Sequence, residues 1–249
     1  SAWKRSSQYS GVRFPPRPLL RESKYSSRQR RAGNLNFRFA QIKVFPPRPF
    51  MESVWGKGED LTHDILRRES LKDKWLNLGC GDGRYVLDLL KKVNILFVAD
   101  KNKKYLQKLE GSLSEKEKRK VSSYFFDMTR DFPFEKETFD GVFCTGTLHL
   151  FTFDKLSFIF SEITRVLKPS GRIIIDFATD IKRVSNGKEF FLKNELRYDS
   201  NTAKKMLLAL LTHYEIEIIQ SHFKDDVTVS EVYGFQSKGN FFLIIGTKK

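Results

Sequence analysis

Cysteine is almost absent from this sequence: the 249 residues hold two, Cys80 and Cys144. Two isolated cysteines give neither a disulfide framework nor the spaced ligand pairs of a zinc site, so no metal is expected, and reduced thiols point to an intracellular, cytoplasmic protein. No apolar run approaches the ~20 residues of a membrane-spanning helix, and no membrane partner is expected. Proline and acid are scarce in complementary places. Only two of the eight prolines lie beyond residue 50, and only one acid, Glu22, lies before it, against 12 Lys and Arg. The first fifty residues therefore carry +11 of the +15 net charge, while the remaining 199, with 33 basic and 29 acidic residues, carry +4. The body is close to neutral, so any case for nucleic-acid binding from overall basicity rests on the leading segment.

Residues 1–50 show neither a helical nor a strand period. They repeat Phe-Pro-Pro-Arg-Pro at 14–18 and 45–49, around a stretch containing Arg28, Arg30 and Arg31. That composition cannot bury a core, and it predicts an arm that is extended or disordered when alone. Four uses stay open: a basic arm that orders on RNA or an acidic partner, an Arg-rich and acid-poor organelle-targeting segment, a polyproline docking sequence, or non-native sequence ahead of a natural start at Met51. Residues 51–249 are then the folded domain.

In that domain, apolar strand-like runs alternate with helical patterns. A lead-in helix is expected over 61–68, with Trp55, Gly56 and Gly58 in the approach to it. Strands are expected at 75–79, 94–100, 123–126, 139–144 and 172–177, and helices at 84–92, 102–120 and 154–167. Continuous apolar strands joined by helices predict a parallel sheet buried on both faces, an α/β protein. Residues 178–198 break the rhythm, and Ser185-Asn186-Gly187 signals a turn; this reads as an insertion near a substrate mouth. A helix over 202–213 and strands at 214–220 and 241–246 close the chain, with a further hairpin near 227–235.

The chemistry gathers at Leu76-Asn77-Leu78-Gly79-Cys80-Gly81-Asp82-Gly83-Arg84, where a strand ends in three glycines at alternate positions and a helical pattern follows. Glycines there allow a sharp turn and a close ligand approach. The spacing is not the G-x-G-x-x-G of a dinucleotide site, because Arg84 stands where the third glycine would be. Asp100 ends the next strand, placing a carboxylate where it can accept the hydroxyls of a ribose.

Together, "LNLGCGDGR" and "ILFVAD" resemble the first two motifs of the class I S-adenosylmethionine-dependent methyltransferases. The stretch Cys144-Thr145-Gly146-Thr147-Leu148-His149-Leu150-Phe151, with "EITRVLKPSGRIIIDF" after it, is similar to the subgroup that often shows Leu-His-His after strand four; here Leu150 replaces the second His. The resemblance covers residues 70–178. It implies a seven-stranded, mostly parallel Rossmann-like sheet with helices on both faces and the strand order 3-2-1-4-5-7-6. It implies S-adenosyl-L-methionine as cofactor, and methyl transfer as the reaction.

Carried onto this sequence, it places Gly79, Cys80, Gly81, Asp82 and Gly83 at the methionine part of the cofactor and Asp100 with Lys101 at the ribose. Asp127 and Met128 fall at the adenine, and Cys144 and Thr145 at the end of strand four. Asp82 has a second reading as the cap of the following helix, and Met128 as an adenine-packing residue. His149 is the candidate general base, with a hydrogen-bonded structural role as its rival; Tyr198, Tyr233 and Asp176 are weaker candidates. No Asn-Pro-Pro-Tyr, Asp-Pro-Pro-Tyr or Pro-Cys follows strand four, which argues against methylation of a flipped base. The expected acceptor is a small molecule. The alternatives are an RNA- or protein-directed enzyme, or a methyltransferase-like fold used as an RNA-binding or assembly module through residues 1–50.

Overall fold

The computed structural model describes residues 61–193, 195–225 and 234–249. The arm of residues 1–50, the approach containing Trp55, Gly56 and Gly58, most of the hairpin expected near 227–235, and Tyr233 lie outside them.

The domain opens with helix α1 (Leu61–Arg68), as its pattern predicts, and then alternates. The first half runs β1 (Lys74–Leu78), α2 (Val86–Leu90), β2 (Ile95–Asp100), α3 (Lys103–Ser112), α4 (Glu115–Lys118) and β3 (Val121–Phe125). The second runs β4 (Phe139–Cys144), α5 (Phe153–Val166), β5 (Leu167–Ser185), β6 (Lys188–Phe190), α6 (Ser200–Leu210), β7 (Tyr214–Lys224) and β8 (Gln236–Lys248). The order across the sheet is β3-β2-β1-β4-β5-β8-β7, parallel through β5 and antiparallel for β8 and β7. Short β6 pairs with β5 off this path, so among the described residues the sheet has eight strands and not seven. Without β6, the remaining seven follow the expected order.

Both faces of the sheet are covered, and the strand period of two decides which side chain serves which face. Leu76 and Leu78 of β1, Val142 of β4, Ile173 and Ile175 of β5 and Ile244 of β8 share one core with α5 and α6. The intervening Trp75, Phe143, Ile174, Leu243 and Ile245 share the other with α1, α2 and α3. This two-sided burial is why the strands read as unbroken apolar runs.

Among the boundaries that differ from expectation, the helix over 202–213 is Ser200–Leu210, the strands at 214–220 and 241–246 run Tyr214–Lys224 and Gln236–Lys248, and four others bear on the site. The helix expected over 84–92 is one short turn and a half, because Gly83 and Arg84 belong to the turn before it. The helix expected over 102–120 breaks at Leu113, and Ser114 restarts it with a capping box to Glu117. Strand β3 begins two residues early and ends at Phe125, leaving Asp127 and Met128 in the loop after it. Strand β5 does not stop at Phe177; it continues to Ser185 and pairs with β8 as far as Val184↔Gln236. Much of the expected insertion is thus sheet. Its turn is as read: Asn186 and Gly187 both take positive φ, 49° and 74°, the conformation of a two-residue hairpin turn linking β5 to β6.

Candidate functional site

The carboxyl ends of β1, β2, β3 and β4 lie side by side, which is where open α/β sheets bind their ligands. At the end of β1 the chain turns through Gly79, Gly81 and Gly83, all with positive φ. Two of them differ instructively. A Cβ on Gly79 would lie 2.9 Å from Thr147 Oγ1 and 3.0 Å from Met128 Cε, so this glycine is walled in by the segments that follow β4 and β3. A Cβ on Gly81 would meet nothing within 4 Å. Gly81 therefore presents open backbone toward whatever enters between the strand ends.

Asp100 braces this turn. Its Oδ2 accepts the Gly81 N–H at 2.9 Å, and its Oδ1 accepts the Asn102 N–H at 2.7 Å. Each oxygen keeps a lone pair, so the carboxylate can still accept two ligand hydroxyls. Asp82 stands in the turn and is not the cap of α2, whose N-cap is Tyr85. The Arg84 guanidinium lies 5.1 Å from the Tyr85 ring centroid.

Beyond β3, Asp127 Oδ1 accepts the Thr129 N–H at 2.9 Å and the Thr129 hydroxyl at 2.8 Å, closing an Asx turn. The backbone N–H of Thr129, chiefly, holds the Asp127 carboxyl below the ordinary carboxylate value; the charges of Lys101 and Arg130 act the same way. Met128 is buried in the core with its methyl beside Gly79, so its first partner is the glycine turn. The loop is pinned from behind by α5. Glu162 Oε2 accepts the Phe132 N–H at 2.7 Å, and Arg165 chelates Glu162 while donating to the Phe134 carbonyl at 2.8 Å. These two residues sit inside the "EITRVLK" stretch at helical i, i+3 spacing, a signal the sequence offered.

Past β4, Cys144 is fully buried, and burial raises its thiol well above its usual value; Cys80 is raised for the same chief reason. Neither is a thiolate nucleophile. Thr145 is half-buried and its carbonyl accepts the Thr147 hydroxyl at 3.1 Å. The next residue, Gly146, donates its N–H to Asp176 Oδ1 at 2.7 Å, which ties the end of β4 to β5. His149 lies in a 3-10 turn, Leu148–Leu150, with its ring 6.4 Å from that of Phe177. Its Nδ1 is buried and has no partner among the described residues. Burial first, then the charge of Arg183, push the imidazole down to about 4. It is therefore neutral at physiological pH and a weak base. Tyr198 donates its hydroxyl to the Phe151 carbonyl at 2.7 Å, and burial raises its pKa.

One feature of this wall was not read from the sequence. Arg183, on the continuation of β5, pairs with Glu195, both side chains being nearly buried. Arg183 lay inside a stretch read as an insertion, where nothing in the local pattern marked it.

Among the described residues no cluster of His, Cys, Asp and Glu is placed to hold a metal ion, and no helix is long and apolar enough to cross a membrane. The glycine turn, with its open side at Gly81, and the two carboxylates on neighbouring strand ends fit a nucleoside carrying an amino-acid tail.

The comparisons agree with this geometry. The methyltransferase domain family matches residues 76–175, from β1 to β5. Solved structures share the fold at low identity. A methyltransferase from Methanosarcina mazei that depends on S-adenosylmethionine is 18% identical, with 74% of this chain and 96% of that one covered, at a TM-score of 0.57. The YcgJ protein of Bacillus subtilis is 14% identical, with coverage of 76% and 97% and a TM-score of 0.55. An S-adenosylmethionine-dependent methyltransferase from Mesorhizobium loti is 13% identical, with coverage of 75% and 96% and a TM-score of 0.53. No curated protein matches the chain. Residues 76–175, which hold the glycine turn, Asp100 and Asp127, match the methyltransferase domain family, and the fold is that of the class I S-adenosylmethionine-dependent methyltransferases.

Proposed function

We propose that this enzyme methylates a small molecule held beside the carboxyl ends of β4 and β5. The single observation behind this is how that region is built. The segment after β4 is covered by chain that folds back on it: Tyr198 bonds the Phe151 carbonyl, and Glu195 pairs with Arg183 on the extended β5. Chain folded over this side suits a small acceptor better than a polymer, and the near-neutral charge of residues 51–249 agrees.

S-adenosylmethionine, when bound, supplies a methyl group on a sulfonium that leaves as a neutral thioether. The chain's own residues have to hold the donor, orient the acceptor and exclude water. We assign Gly79, Cys80, Gly81, Asp82 and Gly83 to the amino-acid tail through the turn they form. Asp100 takes the ribose hydroxyls, with Lys101 beside it. The loop of Asp127 and Met128 takes the adenine, and Cys144 and Thr145 line the floor between donor and acceptor. His149 serves as a neutral hydrogen-bonding group toward the acceptor, since an imidazole titrating at about 4 removes protons poorly at neutral pH.

Calorimetry of the full chain with S-adenosylhomocysteine tests the cofactor assignment; absence of binding at millimolar ligand would overturn it. Profiling of candidate acceptors with labelled cofactor then tests the small-molecule reading. A second reading, an RNA substrate gripped by residues 1–50, is favoured by the +11 charge of that segment. It predicts a salt-dependent RNA affinity that a 51–249 chain lacks, because counterion release drives such binding.

A further inference from the structure

We infer that Arg183 and His149 form an oxyanion-recognition site, so that the methyl acceptor of this enzyme carries a carboxylate or similar oxyanion on an apolar body. The inference rests on the small-molecule reading above and narrows it to a chemical class. Its starting point is a pair of buried polar atoms. Arg183 Nε and His149 Nδ1 are both shielded from solvent, and neither has a hydrogen-bond partner among the described residues. Buried polar groups are almost always paired, and each of these orphans calls for a missing partner that accepts hydrogen bonds. His149 packs its ring against Phe177 of β5, the strand that also carries Arg183.

Glu195 does not use up the guanidinium. It engages Nη1, while its other oxygen turns to the Leu192 N–H at 3.4 Å. The Nε–H edge keeps its donor, and a guanidinium fork favours planar, bidentate oxyanions. His149 is neutral, so it can add a second donor as its Nδ1–H tautomer with no second buried cation. The rest of the wall is aromatic. The Phe177 and Tyr198 rings meet edge to face at 5.0 Å, and the Arg183 guanidinium lies 5.9 Å from the Phe235 centroid. Two donors on an apolar wall fit a carboxylate borne on a flat or aliphatic body. The site also borders the donor side, because Thr147, two residues before His149, abuts Gly79 of the glycine turn.

The probe pair is benzoate and its neutral isostere benzamide, titrated by NMR into the full chain with S-adenosylhomocysteine present. Benzoate should bind at least tenfold more tightly than benzamide, and Arg183→Gln should remove that preference while leaving S-adenosylhomocysteine affinity within about twofold. Equal binding of the two probes, or a preference that survives in Arg183→Gln, overturns the inference. Should Arg183→Gln not fold, His149→Phe takes its place: a weakened benzoate affinity supports the site, and an unchanged one overturns it. S-adenosylhomocysteine is titrated first, by itself. Its failure to bind would remove the cofactor assignment, and the benzoate comparison, run without it, would still judge this inference separately.

Discussion

The carboxylate of Asp100, at the tip of β2, accepts the backbone N–H of Gly81, in the turn after β1, at 2.9 Å. One side chain thus shapes the turn after β1 and, in the site proposed above, takes the donor's ribose. Asp100→Ala should therefore lose on both counts. Charge-assisted bonds contribute about 1.5–3 kcal/mol each, so the Kd for S-adenosylhomocysteine should rise about tenfold or more. The Gly81 and Asn102 amides lose their acceptor, at a cost of about 1–2 kcal/mol in stability. Calorimetry and urea titration measure the two effects, and unchanged affinity would mean that Asp100 does not face the ribose.

Alanine at two neighbouring glycines should separate folding from binding. Gly79 has φ +69° and is walled by Thr147 and Met128, so Gly79→Ala adds a steric clash to the left-handed backbone penalty. About 2–4 kcal/mol of stability should be lost. Gly81 has φ +53° with open space around it, so Gly81→Ala should cost only about 1–2 kcal/mol. Its methyl would project into the ligand's approach, and S-adenosylhomocysteine binding should fail in a protein that still melts cooperatively. A Gly81→Ala protein with wild-type affinity would place the ligand elsewhere.

Stability should fall as the pH is lowered through the range below 6.5, and His149 should be one cause. Its imidazole titrates at about 4 when folded, against about 6.5 in an open chain. Between those values the unfolded chain binds a proton that the folded chain refuses, so acid favours unfolding, by up to about 3 kcal/mol once pH 4 is reached. Above about pH 6.5 the residue contributes no pH dependence. His149→Asn should flatten this part of the curve, read as urea midpoints at pH 7.5 and pH 5. A limb near pH 6.5 in the kcat profile that vanishes in His149→Asn would show instead that the imidazole titrates in the neutral range and works as a base.

The Arg165–Glu162 clamp behind the loop after β3 gives a test at a distance. Arg165→Met leaves the nearly buried Glu162 carboxylate without its cation, while Phe132 and Phe134 lose carbonyl donors. A loss of about 2–4 kcal/mol is expected, since removing one partner strands the other's charge. Because the same loop carries Asp127, the KM for S-adenosylmethionine should rise more than kcat falls. Equal loss in both would mean that the clamp serves stability alone.

The contrast between Asp100 and Arg183 shows what could be read from the sequence and what could not. The strands, their approximate ends, the glycine turn, the hairpin at Asn186-Gly187 and the acid sixteen residues past Arg84 were all legible, because each rests on local rules. Periodicity reports burial along one segment, and glycine reports a backbone that no other residue adopts cheaply. Helix breaks and strand ends were less legible, because they depend on what packs alongside: β5 runs on to Ser185 only because β8 is there to pair with it. The surroundings of His149 were least legible of all. His149 stood out as a lone histidine suited to act as a base, but only burial and the nearby Arg183 charge made it a neutral group titrating at about 4. Arg183 carries no local signal, and is a nearly buried cation only because the fold brings Glu195 to its side. The chain's sequence by itself determined the fold and the glycine turn, whose signals are short-range. The tertiary structure decided the surroundings of His149 and Arg183, because burial and charge pairing between distant segments are properties no local pattern carries.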